Sequence, residues 1–160
     1  MRKVTGLGHL GLHVYDYPKM RAFFTRVMGM QVTDEDEERQ MCFLSARPDE
    51  EHHELLLTGG RNTPDDMKLV QQISFTVESI AVLKEFREIL EAEGLPIDSI
   101  STHGNAASVY FRDPKGNRLE VYYSIPVEWP QPFRKPINLD QDDDAVLQQI
   151  HDLTFGATVK

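Results

Sequence analysis

Apolar residues recur along the chain in two periods, and the alternation between the periods repeats. Leu10, Leu12 and Val14 stand at every second position, as a strand buried on one face requires. Met20, Phe23 and Val27 follow at the three-and-four spacing of an amphipathic helix. The same succession returns 63 positions later, with Ile73, Phe75 and Val77, then Leu83, Phe86 and Leu90. Helix starts and stops coincide too: Asp16 and Ser79 are N-cap residue types, Pro18 suits a first turn, and Gly29 and Gly94 stand where the helices end. Three short β-like stretches follow each helix, 30–33, 40–45 and 52–58 in the first copy and 96–102, 107–112 and 118–123 in the second. Each half therefore predicts βαβββ. The predicted fold class is α+β, with two βαβββ modules, about 4–60 and 68–124, forming a curved mixed sheet around a cavity. Asp113-Pro-Lys-Gly-Asn117 predicts the hairpin between the last two strands, because proline presets φ and Gly-Asn tolerates positive φ. Beyond residue 124 the prolines at 126, 130, 132 and 136 predict a tail over 125–160. That tail is expected to pack through Trp129 and Phe133 and to carry a short helix near 145–153.

Composition narrows the class of protein. With 160 residues, 40% apolar and 27% charged, the chain is long enough for one domain or two small halves, and it is neither disordered nor membrane-like. No apolar run approaches a membrane span, and Met1-Arg2-Lys3 leads into no apolar signal core, so a cytoplasmic location is expected. The single cysteine, Cys42, can form neither an internal disulfide nor a thiolate metal site; its apolar neighbours predict a buried structural role. A net charge of −9 argues against nucleic acid as a partner. Asp34–Glu38 together with Asp140, Asp142, Asp143 and Asp144 account for the whole acidic excess, and both runs are expected to be solvated.

Strand alternation sorts the candidate chemistry. Opposite the apolar faces of the first strands lie His9, Gly11 and His13 in one copy and Gln72, Ser74 and Thr76 in the other. The last strands place Glu54 with His52 and Leu56, and Glu120 with Arg118 and Tyr122. If the two modules pack about a pseudo-twofold axis, His9, Glu54, Gln72 and Glu120 converge. Two carboxylates, an imidazole and an amide oxygen suit divalent Fe, Mn, Ni, Co or Zn, and the carboxylates offset the cation's charge.

Gly8-His-Leu-Gly-Leu-His-Val-Tyr-Asp16, Phe23-Phe24, Val27-Met-Gly-Met30 and Tyr110-Phe-Arg-Asp-Pro-Lys-Gly-Asn-Arg-Leu-Glu120 resemble the vicinal oxygen chelate superfamily of glyoxalase I, bleomycin and fosfomycin resistance proteins and type I extradiol dioxygenases. The resemblance covers about residues 4–124, and the Asp-Pro-x-Gly-Asn-x-x-Glu hairpin is its most specific part. Most like this chain are the extradiol members, which imply iron or manganese on His9, the position of Gln72, and Glu120. The second histidine of that set is replaced here by Gln72. The same resemblance implies roles for His52 or His53 as acid/base, for Tyr110 in contacting a catechol-like vicinal diol, and for His103 beside them. Alternation puts His52 on the face of Glu54, whereas the motif favours His53. A glyoxalase-like isomerase or lyase would instead use His9, Glu54, Gln72 and Glu120 together with nickel or zinc. A non-catalytic small-molecule binder of the same fold is the third reading, supported by Gln72 itself. Members of the superfamily often dimerise, so a homodimer acting on a small molecule is expected.

Overall fold

The computed structural model describes residues 7–64, 67 and 70–156. Two compact units, 1–67 and 68–160, make up the chain.

In the first unit β1 (Leu10–His13) runs parallel to β4 (Leu55–Thr58). β4 pairs antiparallel with β3 (Met41–Ser45), and β3 pairs antiparallel with β2 (Gln31–Asp36), giving the order β1-β4-β3-β2. α1 (Tyr17–Ala22) begins at Asp16, whose carboxylate accepts the Lys19 N–H at 3.1 Å. The sequence pattern predicts one α-helix as far as Gly29, but the chain passes into a π-helical turn over Phe23–Val27. There the Thr25 hydroxyl donates to the Arg21 carbonyl at 2.9 Å, the acceptor that an α-helix would offer to the Thr25 amide. The core lies between this helix and the sheet: Met20, Phe23, Phe24 and Val27 against Cys42, Leu44, Leu55 and Leu57, none more than 4% exposed. Cys42 is a buried free thiol, as its apolar neighbours predict.

The first acidic run departs from the solvated loop expected of it. Asp34, Glu35 and Asp36 belong to β2, which carries an extra residue between Val32 and Asp34. A bulge shifts the alternation by one, so Glu35 rather than Asp34 lies opposite buried Cys42. On that inner face Glu35 accepts hydrogen bonds from Tyr17 Oη and from Arg21 Nε and Nη2, each at 2.7 Å.

The second unit repeats the module and extends it. β5 (Ile73–Val77) lies parallel to β8 (Arg118–Ser124), followed by β7 (Ala106–Arg112), β6 (Ile97–Thr102) and β9 (Lys135–Pro136) in the order β5-β8-β7-β6-β9. α2 (Ile80–Ala92) starts at Ser79, whose hydroxyl accepts the Val82 N–H at 3.2 Å. Its buried face, Ile80, Leu83 and Leu90, belongs to the same core as Val109, Phe111, Leu119 and Val121. β6 has a bulge like that of β2, between Ile97 and Ser99.

Residues 125–156 are built into this unit. β9 adds to the β6 edge, and α3 (Asp143–Thr154) lies on α2 with Val146 and Ile150 buried. Trp129 meets Phe133 and Phe155 edge-on at 5.6 and 5.0 Å. The second acidic run is not simply wet. Asp143 pairs with Lys84 at 2.6 Å and Asp140 with Arg87 at 2.6 Å, tying the tail to α2, while Asp142 caps α3. Among the described residues no helix is long and apolar enough to cross a membrane.

Candidate functional site

The β7–β8 hairpin sets the register of the second unit's polar face. Asp113, 3% exposed, accepts the backbone N–H groups of Lys115 and Asn117 at 2.9 Å and the Asn117 side-chain amide at 2.7 Å. Gly116 takes the positive φ of 84° that closes the turn. From this fixed end Arg112 faces Arg118, Phe111 faces Leu119 and Tyr110 faces Glu120. Ser74 lies beside Glu120 on the other side. Because of the bulge in β6, Ser99 rather than Asp98 completes the row next to Tyr110. Asp98 instead pairs with Arg112 at 2.8 Å.

Glu120 is buried and accepts two hydrogen bonds on Oε2, from Ser74 Oγ at 2.6 Å and from Gln72 Nε2 at 2.8 Å. Gln72 Nε2 also reaches Ser74 Oγ at 2.8 Å, so the three side chains form a closed network. Next along the row is Tyr110, whose hydroxyl lies 2.8 Å from His103 Nε2. The other ring nitrogen, Nδ1, is 2.7 Å from the Phe133 carbonyl. A carbonyl only accepts, so Nδ1 carries the proton, and in the neutral ring Nε2 accepts from Tyr110. Burial first, and the Glu120 carboxylate second, push the Tyr110 hydroxyl up to about 12.

His103 owes its position to a tight loop. Thr102 Oγ1 accepts the Gly104 N–H at 2.9 Å and donates to the Ala106 carbonyl at 2.8 Å. Gly104 has φ +85°, and a Cβ there would come within 2.5 Å of Trp129.

In the first unit His9, His53 and Phe43 form a ring cluster, with His9 and His53 centroids 4.3 Å apart and Phe43 and His53 4.9 Å apart. His52 Nδ1 lies 2.9 Å from His53 Nδ1. His53 is the half-buried member, and His52 is exposed. Both precede β4, which starts at Leu55, so strand alternation does not govern which of them turns inward. Burial, then the neighbouring His9 and His52, lowers the His53 pKa. Glu54 is engaged elsewhere: Oε2 accepts the Ala46 N–H at 2.8 Å, and Oε1 lies 3.2 Å from the Arg47 guanidinium. Thus Gln72 meets Glu120, Tyr110 meets His103, and His9 meets His53, while Glu54 meets none of the other candidates of its unit.

Beyond Tyr110-Phe-Arg-Asp-Pro-Lys-Gly-Asn-Arg-Leu-Glu120, residues 6–121 match the model of the Glyoxalase/Bleomycin resistance protein/Dioxygenase superfamily. The chain belongs to this superfamily. Among its relatives, the 3-methylcatechol 2,3-dioxygenase of Pseudomonas putida is 29% identical over 135 residues, 81% of this chain and 43% of the relative. The manganese-dependent 2,3-dihydroxybiphenyl 1,2-dioxygenase of Geobacillus genomosp. 3 is 28% identical over 126 residues, 77% of this chain and 38% of the relative. The chain thus spans about two fifths of the length of these two relatives. Its fold is that of the Listeria monocytogenes fosfomycin resistance protein FosX, with a TM-score of 0.61 at 19% identity, covering 75% of this chain and 90% of FosX.

Three polar residues of the face were not singled out by sequence reasoning as site residues: Ser74, Arg118 and Arg134. Alternation already places Ser74 with Gln72 and Arg118 with Glu120. Nothing in the proline-rich run around Arg134 signals that β9 brings it there.

Proposed function

We propose that this chain is a metal-dependent dioxygenase of the extradiol type, acting on a catechol-like vicinal diol. The observation that carries the reading is the row Glu120–Tyr110–His103 on one sheet face: a buried carboxylate, a phenol held protonated, and an imidazole with its accepting nitrogen on that phenol. Two relatives named for oxygenating aromatic vicinal diols support it.

The donor chemistry on this face fits a divalent metal. Glu120 and Gln72 offer a carboxylate and an amide in mutual contact; in the first unit, taken by itself, the imidazoles of His9, His13 and His52 are exposed. The Gln72 amide oxygen can join Glu120 as a donor once its amide, now donating to Glu120, rotates away. Iron or manganese, when bound, supplies Lewis acidity and the electron exchange with dioxygen. Tyr110 stays protonated at neutral pH, gives its one proton to the hydrogen bond with His103 and accepts a hydrogen bond from a substrate hydroxyl. As a diol hydroxyl loses its proton to Tyr110 Oη, the Tyr110 proton passes to His103 Nε2, and the resulting imidazolium is held by the Phe133 carbonyl. The engagement of Glu54 with Arg47 weighs against an isomerase that needs all four ligand positions.

The test is anaerobic reconstitution with Fe(II) or Mn(II), followed by oxygen uptake and the visible absorbance of a ring-opened product from catechol, 3-methylcatechol and 2,3-dihydroxybiphenyl. Stoichiometric uptake with product, lost in Glu120→Ala, is the expected result. Full metal loading with neither uptake nor product overturns the reading. The hydrogen bond from Gln72 to Glu120 favours one further reading, a metal-free binder. Its signature is diol binding by protein that takes up no metal.

A further inference from the structure

Two guanidiniums on the polar face of the second unit lack the carboxylate partners that five other arginines possess. Arg21, Arg39, Arg47, Arg87 and Arg112 each contact an Asp or Glu. Arg118 and Arg134 have no such ion pair among the described residues. Both lie over the Tyr110 ring instead, with Cζ 4.6 and 5.0 Å from its centroid. Arg134 is steered there by hydroxyls, Nη2 donating to Ser99 at 2.6 Å and Nε to Ser101 at 3.1 Å. Arg118 Nε is buried with no hydrogen-bond partner among the described residues.

Such an arrangement costs stability in the free protein. Two like charges share one ring, and a desolvated guanidinium N–H goes unmatched. The ring's negative face offsets part of that cost but gives no acceptor for an N–H. The β6 bulge works in the same direction. By moving Asp98 off the Tyr110 row and onto Arg112, it keeps from Arg134 the one carboxylate that a regular strand would place there. The buried carboxylate of the same face, Glu120, accepts from Ser74 and Gln72.

We infer that Arg118 and Arg134 bind a carboxylate borne by the substrate, so that the preferred ligand is an aromatic vicinal diol carrying a carboxylate rather than an uncharged one. A carboxylate presents two coplanar oxygens to the exposed Arg134 guanidinium, and its charge offsets that of the neighbouring Arg118. The substrate class rests on the diol reading above; the anion site itself rests on the arginines. Neither of the two relatives is named for a carboxylated diol.

The test is equilibrium binding to the full chain, with and without metal, of catechol, 2,3-dihydroxybenzoate and 3,4-dihydroxybenzoate. At least one carboxylated diol binds about tenfold or more tightly than catechol, a difference of about 1.4 kcal/mol. In Arg134→Gln, an exposed position that the fold tolerates, the ratio of the two affinities falls towards one. Arg118→Gln does the same, and Arg118→Lys keeps more of the preference than Arg118→Gln does. Equal binding of catechol and both carboxylated diols overturns the inference, as does a preference that survives in the double variant. A wild-type protein that binds carboxylated diols preferentially but, fully loaded with metal, cleaves none of the diols defeats the dioxygenase reading alone. One that cleaves catechol and the carboxylated diols without preference defeats the anion site alone.

Discussion

Single side chains carry the two ionic features that decide most about this molecule. Glu35 is held below the ordinary carboxylate range chiefly by hydrogen bonding from Arg21, against burial that pushes the other way. A carboxyl whose folded pKa is depressed contributes stability above its unfolded pKa of about 4.3 and loses it as pH falls through the folded value. Glu35→Gln is therefore expected to cost about 1 kcal/mol at pH 7, a figure kept small because Arg21 is a third exposed. The gap to wild type should close as denaturant melts are taken down through pH 4; a gap that widens in acid refutes the assignment. Tyr110 is the second case. Tyr110→Phe keeps the ring beneath Arg118 and Arg134 but removes the hydroxyl from His103, and ring-cleavage turnover should fall by about 100-fold. Because the Tyr110 pKa lies near 12, wild-type turnover should show no alkaline loss from this group below about pH 10. Gln72, Glu120 and Arg118 are legible in the sequence, since period-two alternation assigns a side chain to a face. Glu35 is not, because one extra residue in β2 reverses the alternation and leaves no mark in composition.

Among the elements, the turns place the site more than the strands do. Gly104 joins the end of β6 to the start of β7, and both its positive φ and the approach of Trp129 forbid a side chain. Gly104→Ala should destabilise the protein by about 2–4 kcal/mol, read from equilibrium unfolding. Adding Trp129→Ala should recover only part of the loss, because the approach of Thr154 at 2.9 Å and the backbone strain both stay. Full recovery would show that φ contributes nothing. At the other hairpin, Asp113 holds three donors while almost wholly buried, so Asp113→Ala should cost about 2–3 kcal/mol. It should also loosen the pairing of Tyr110 with Glu120, measurable as faster amide exchange along β7 and β8. This hairpin is readable in advance because Asp-Pro-x-Gly-Asn encodes its own turn. The 103–105 loop is not, since the partner that makes Gly104 obligatory, Trp129, comes from a proline-rich run with no periodicity. Likewise the helix predicted up to Gly29 keeps its apolar stripe while its hydrogen bonding slips to the π pattern at Thr25.

At the scale of the whole molecule, a repeat detectable at an offset of 63 has produced two modules with the same strand order and a bulge in the same place, yet with different chemistry. Glu54 and Glu120 fall at comparable positions of their modules, and sequence alone treats them as equals. Their surroundings do not. Arg47 and the Ala46 amide claim both oxygens of Glu54, whereas Glu120 takes two neutral donors on a single oxygen and no guanidinium. To become a metal ligand Glu54 would have to give up a charged partner, while Glu120 would exchange only hydroxyl and amide hydrogen bonds. Paired variants should expose this difference. In Glu54→Gln, affinity for Fe(II) or Mn(II), measured by titration of the full chain, should change by less than the roughly 10-fold that losing even an outer partner of a ligand costs, while the unfolding midpoint falls. In Glu120→Gln, affinity should drop by more than about 100-fold, with the smaller effect on folding. The opposite ordering, or equal losses from both, would mean that the four-position set of the isomerases is the working one and that the Arg47 contact yields to metal.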